Sequence, residues 1–97
     1  DSVVDVTGNI SNTKNSFQNG TLTVEARDIS GTTTYFLVDS TGKDIAKGTD
    51  GKIFTAIADP SDTINFNGEV KSGTVTIKNS GSVATSTAII DNNGLQA

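Results

Sequence analysis

The 97-residue sequence has no Cys, His, Met or Trp, and only one Pro. Each absence removes a class of chemistry. Without Cys no disulfide can brace the chain, and thiolate nucleophiles and zinc–thiolate sites are excluded. Without His as well, Ser-His-Asp and Cys-His arrangements cannot be assembled, and ordinary zinc centres lose both of their usual donors. No apolar run approaches the roughly 20 residues of a membrane-spanning helix. The 7 Lys and Arg are scattered among 11 Asp and Glu, for a formal charge of −4, so there is no basic stripe for nucleic acid. Carboxylates remain as the only route to acid–base catalysis. The candidates, Asp59 and Asp62, flank Pro60, where Asp shapes a turn more readily than it titrates. The expectation is a protein that is not an enzyme, with no membrane span and no nucleic-acid partner.

What is abundant is Ser, Thr, Asn and Gly. Thr, Val and Ile are stiff at χ1 and favour strands, and Asn and Gly accept turn geometry. Alternation of period two recurs along the chain, and no stretch carries a helical apolar stripe. Residues 3–10 place Val4, Val6, Gly8 and Ile10 on one face. Thr21–Arg27 turns Leu22, Val24 and Ala26 inward, and Thr33–Asp39 is apolar on both faces. Ile45–Lys47, Lys52–Ala58, Thr63–Val70, Thr74–Lys78 and Val83–Ile90 follow, separated by turns such as "STGKD", "DPSD" and "NSGS". This spacing predicts an all-β, antiparallel two-sheet sandwich of jelly-roll or Ig-like type, with seven or eight short strands. Its expected core is Leu22, Val24, Phe36, Val38, Ile53, Ile57, Ile64, Phe66, Val75, Ile77 and Ile89. Tyr35, opposite in phase to Phe36, is expected to face outward.

Three domain segments follow from the pattern. Residues 1–10 form an N-terminal strand, 11–20 a polar linker with one apolar residue, and 21–97 the sandwich. A ten-residue connection is long against the usual median of about 4–6. That length suits a strand donated to a neighbouring molecule, with Val4, Val6 and Ile10 as the buried subunit interface. The other arrangement open at this point is an ordinary first strand of a monomer. Asp39, Asp44 and Asp50 bracket two adjacent turns and are the candidate calcium ligands, although turn chemistry alone accounts for each. No other cofactor is expected. A chain opening at Asp1 is expected to be a processed, extracellular or cell-surface form, after removal of a signal peptide.

Two segments carry a family likeness. "SFQNGTLTVEA" (Ser16–Ala26) is similar to the F-x-x-G-T-L-x-[LV] opening of the TasA/camelysin biofilm-fibre proteins. "SDTINFNGEVKSGTVTIKNSGSVA" (Ser61–Ala84) resembles that family's second landmark, ending in an N-x-G-[ST]-[LV]-A stretch at Asn79–Ala84. The chain is shorter than those proteins and lacks a Pro-Gly-Asp turn before the second landmark. The resemblance implies a secreted jelly-roll subunit whose N-terminal strand is inserted into the next subunit. The function expected is therefore a structural, self-associating subunit of a pilus or biofilm filament. Two other readings stay open: the strand-rich globular part of a split type IV pilus, and an Ig-like adhesin or carbohydrate-binding module. A stacking platform for the last would have to come from Tyr35 among five aromatics, four of them Phe.

Overall fold

The computed structural model describes residues 3–14, 16–80, 83–91 and 95–96, with side-chain surroundings for residues 6–14 and 16–78. All of its regular structure is β: β1 (Val3–Ser11), β2 (Gly20–Ile29), β3 (Thr32–Val38), β4 (Asp44–Gly48), β5 (Ile53–Ala56), β6 (Thr63–Phe66), β7 (Glu69–Val70), β8 (Thr74–Ser80), β9 (Val83–Asp91) and β10 (Leu95–Gln96). Among the described residues, no helix is long and apolar enough to cross a membrane.

Turn chemistry joins the strands locally. Ser30 and Gly31 both have positive φ (52° and 86°), the mirror-image turn whose twist matches a two-residue hairpin between β2 and β3. Between β3 and β4, one oxygen of Asp39 accepts from the Thr41 and Lys43 N–H groups, each at 2.9 Å. Between β4 and β5, Asp50 accepts from the Lys52 N–H at 2.9 Å and the Ile53 N–H at 3.0 Å. Gly51, at φ 75°, lies so close to Val70 that an added Cβ would meet Val70 backbone at 3.2–3.3 Å. The Val70 N–H donates to Gly51 O at 2.7 Å across this approach.

Antiparallel pairing runs in the order β1-β6-β5-β4-β3-β2-β8-β9, and β9 pairs back with β1 to close a barrel. The expected antiparallel all-β class holds, whereas the pairing does not divide into the expected two sheets. Closure comes from β1, which bonds β6 through Gly8–Ser11 and β9 through Val3–Ile10. A strand paired on both sides removes the edges that a sandwich would leave open. The alternating segment Thr63–Val70 is also shorter in the barrel than its pattern implied. It leaves the wall after Phe66, where Asn67 takes hold of β1, and β7 pairs instead with β10 in a separate two-stranded sheet.

The barrel interior is packed with Val6, Phe17, Leu22, Val24, Leu37, Ala46, Phe54, Ala56, Ile64, Phe66, Val70, Val75 and Ile77. Six of the expected core residues (Leu22, Val24, Ile64, Phe66, Val75 and Ile77) lie in this cluster. Two strands have the opposite phase to the one expected. In β5, Phe54 and Ala56 point inward, and Ile53 and Ile57 are 47% and 44% exposed. The register explains this: Phe54 pairs with Ile64 of β6, so it must share the inward face of Ile64. In β3, Leu37 is inside and Tyr35 packs partly against the core. Phe36 is on the outer face, opposite to the arrangement expected for these two aromatics. Phe36 and Val38 are buried all the same, outside the interior cluster. Ile89 lies outside the residues whose side chains are described.

The phase of β5 yields a direct check. Replacing Ile53 by Thr should move the thermal midpoint by less than about 3 °C, since exposed substitutions usually stay within about 0.5 kcal/mol. A fall above 10 °C would return Ile53 to the core.

Candidate functional site

The residues expected to form a subunit interface sit on β1. Val6 is 3% exposed inside the chain's own barrel, and Ile10 packs against the same core. Val4 pairs with Ile90 in the β1–β9 ladder, and its side chain lies outside those described. The opposite face, Thr7 and Asn9, is exposed. Asn67 adds a further clasp: its N–H donates to Thr7 O at 2.9 Å, and its Oδ1 accepts the Thr7 N–H at 3.3 Å.

The segment expected to be a linker is anchored at both ends. Asn12 Oδ1 accepts the Phe17 N–H at 3.0 Å, and Asn12 Nδ2 donates to Phe17 O at 2.9 Å. This reciprocal pair ties Asn12 to Phe17. Phe17 is completely buried among the core residues. A polar composition reads as a tether only when nothing binds it, and here a carboxylate from across the chain does.

That carboxylate is Asp62, also completely buried. It accepts the Thr13 hydroxyl at 3.1 Å, the Lys14 N–H at 3.0 and 3.1 Å on its two oxygens, and the Ser16 N–H at 3.0 Å. Burial by itself raises the Asp62 pKa, but the hydrogen bonds from Lys14, Ser16 and Thr13 outweigh it and hold the carboxyl below its ordinary value. The preceding turn aims it. Asp59 Oδ1 accepts the Ser61 N–H at 3.1 Å and the Ser61 hydroxyl at 2.6 Å, and Asp59 O accepts the Asp62 N–H at 3.0 Å. Asp59 is thus the turn former that its position beside Pro60 implied. Asp62 looked the same in sequence, yet it fastens Thr13, Lys14 and Ser16 to the start of β6.

The three candidate calcium ligands do not converge, and no group of three metal-binding side chains occurs among the described residues. Asp39 and Asp50 are committed to their turns, and those hydrogen bonds lower both pKa values. Asp44 lies in a two-pronged ion pair with Arg27, Nη1 to Oδ2 at 2.8 Å and Nη2 to Oδ1 at 2.9 Å. The Arg27 hydrogen bond holds the Asp44 carboxyl below its ordinary range. Arg27 also donates from Nε to Glu25 at 3.1 Å, and its guanidinium lies 4.2 Å from the Phe36 ring centroid. This lid explains how Phe36 is buried on an outer face: the fork of Arg27, held by two carboxylates, covers the ring.

A cavity of about 230 Å³ opens between residues 16–22 and the Asp39–Ser40 turn, with Ile45 and Ile77 also in its lining. No aromatic ring lines it, and Tyr35 is half-buried against the core, so the stacking platform of a sugar-binding module is not found there. No protein-family model, curated protein or solved structure matches the chain.

Proposed function

We propose that the chain is a structural subunit of an extracellular filament, joined head to tail by exchange of β1 between neighbouring copies. One observation supports this above the others. Among the described residues β1 completes the barrel by pairing with β6 and β9, both in the second half of the chain, while β2, the next strand along the chain, pairs with β3 and β8 instead. Withdrawing it leaves β6 and β9 with unpaired edges. The β1 of a second copy, identical in sequence, restores the same ladder and the same Val6 packing. When each copy gives one strand and receives one from a different neighbour, the contact is heterologous and need not close, which generates filaments.

The test must leave the barrel intact. A charge at Val6 would be buried in either arrangement, so its effect on assembly would be inseparable from unfolding. Asn9 and Asn65 are register partners and both are exposed. Full-length chains carrying Asn9→Cys and Asn65→Cys separately, mixed at high concentration and oxidised with diamide, should form a disulfide between copies. Negative-stain images of the unsubstituted chain should show filaments. A chain that stays monomeric at every concentration and gives no such disulfide would remove the reading, and that is the behaviour expected of an isolated adhesin or carbohydrate-binding module.

A further inference from the structure

We infer that Asn67–Gly68 is a site of spontaneous deamidation in the folded chain, and that its isoaspartyl product undoes the grip of Asn67 on Thr7 of β1. This goes beyond strand exchange and does not depend on it, because it concerns a covalent change where a single barrel closes.

The sequence holds three Asn-Gly pairs, Asn19–Gly20, Asn67–Gly68 and Asn93–Gly94. The last lies outside the described residues. Asn is thermolabile because the backbone nitrogen of the next residue can attack its side-chain Cγ. Both groups belong to one chain, so ring closure is intramolecular and needs no encounter. Gly in the second position leaves the attacking nitrogen unshielded by a Cβ and its peptide free to rotate. At Asn67 the new bond joins Gly68 N to Cγ, the Cγ–Nδ2 bond breaks, and Nδ2 leaves as ammonia with the proton from Gly68 N. Water then opens the succinimide ring. Cleavage between Gly68 N and Cγ gives an aspartyl product. Cleavage between Gly68 N and the backbone carbonyl carbon of Asn67 gives an isoaspartyl product, whose main chain runs through Cβ and Cγ. Water is consumed and ammonia released, with no oxidant or cofactor.

The fold separates the two described pairs, which sequence makes equal. Gly20 opens β2 and is the register partner of Ile77 in the β2–β8 ladder, so turning the Asn19–Gly20 peptide towards the Asn19 amide disrupts that pairing. Gly68 falls between β6 and β7 and belongs to neither strand. Asn67 is exposed, and water reaches the ring that must be opened. Its Oδ1 already accepts the Thr7 N–H at 3.3 Å, which places a donor on the oxygen that gains negative charge when Cγ is attacked.

The consequence falls on β1. The β1–β6 ladder ends at Gly8 and Phe66, and Asn67 extends it to Thr7 with two bonds, its N–H to Thr7 O at 2.9 Å and its Oδ1 from Thr7 N–H. The aspartyl product keeps both groups in place. In the isoaspartyl product the Cγ oxygen becomes a peptide carbonyl in a main chain one carbon longer, and the spacing that served both bonds is lost.

The unsubstituted chain tests this, one portion held folded in mildly alkaline buffer and another in concentrated urea. Peptides from a brief low-pH digestion are assigned by mass spectrometry, and enzymatic carboxyl methylation marks isoaspartate. In the folded chain Asn67 should convert severalfold faster than Asn19; in urea, where only the shared Asn-Gly sequence acts, the two rates should converge. Equal rates in the folded chain, or faster conversion at Asn19, overturn the site. The grip is read separately, on the fraction carrying isoaspartate at position 67 alone, isolated by anion exchange through its added charge. There the Thr7 amide should exchange hydrogen severalfold faster than in the parent, while the Val24 amide, bonded to Gly73 O at 2.9 Å, stays as protected as before. Unchanged exchange at Thr7 overturns the lost grip and leaves the deamidation site standing. Faster exchange at both amides means general unfolding and overturns a local release.

Discussion

Asp62→Ala is expected to destabilise the chain by about 1.5–3 kcal/mol, read as a lower urea midpoint with an unchanged slope. The substitution leaves the Lys14 and Ser16 N–H groups, now bonded at 3.0–3.1 Å, without their acceptor. Lys14 is exposed and Ser16 partly buried, so water takes over part of what is lost, and what remains is the worth of hydrogen bonds to a charged group, about 1.5–3 kcal/mol. Against a total of about 5–15 kcal/mol for a domain of this size, that is a large share. Asp62→Asn should fall between the two, since it keeps one acceptor oxygen and presents an amide N–H where a second acceptor is needed. Asp59→Ala, which removes bonds inside an exposed turn, should move the midpoint less. The pH dependence has a definite sign. The Asp62 pKa is lowered on folding from its ordinary 3.8. Its stabilisation is therefore fully present above that ordinary value and is lost as pH falls through the lowered folded value. Asp39, Asp44, Asp50 and Asp59 are shifted in the same direction, so the parent should weaken in acid for several reasons at once. The difference between parent and Asp62→Ala, followed from pH 7 downward, isolates the Asp62 part and should shrink below about pH 4. A difference that stays constant down to about pH 2 would show that Asp62 is not the titrating anchor.

Truncating Phe66 to Ala should cost about 3–5 kcal/mol and lower the thermal midpoint by about 12 °C or more. Phe66 is 3% exposed and meets Phe54 edge to face, with centroids 5.7 Å apart and planes at 84°. Its removal takes away the buried ring, the edge-to-face contact worth about 0.5–1.5 kcal/mol, and part of the support for a closed barrel whose strands cannot easily collapse inward. Phe54→Ala should cost a similar amount, and the double variant less than the sum, because both single variants lose the same contact. Melting within a degree or two of the parent would place Phe66 outside the core.

The contrast between strands shows which information was local. In β2, β6 and β8 one face is apolar and the other polar, so Leu22, Val24, Ile64, Phe66, Val75 and Ile77 could be placed inside from alternation alone. In β3 and β5 both faces carry apolar side chains, and a period of two then has no sign. Pairing of Phe54 with Ile64 fixes the phase of β5, and Arg27 spread over Phe36 makes an outer face of β3 as dry as an inner one. The loop 11–20 gave a similar ambiguity: Ser, Asn, Thr and Lys compose a tether unless an acceptor is brought to them, and that acceptor, Asp62, is separated from Ser16 by 46 residues.

From its residues alone this chain was bound to be an all-β, Asp- and Gly-turned domain without thiol or imidazole chemistry, because propensity, alternation and turn geometry act within a few positions. Tertiary structure alone decided that the sheet closes through β1 and β9, that the supposed leash is clasped by a buried carboxylate, and that the calcium candidates are spent on turns and on Arg27. Those outcomes depend on which distant strand supplies the lowest-energy register and on which buried donors find an acceptor. Both are properties of the assembled barrel and leave no periodic trace along the chain.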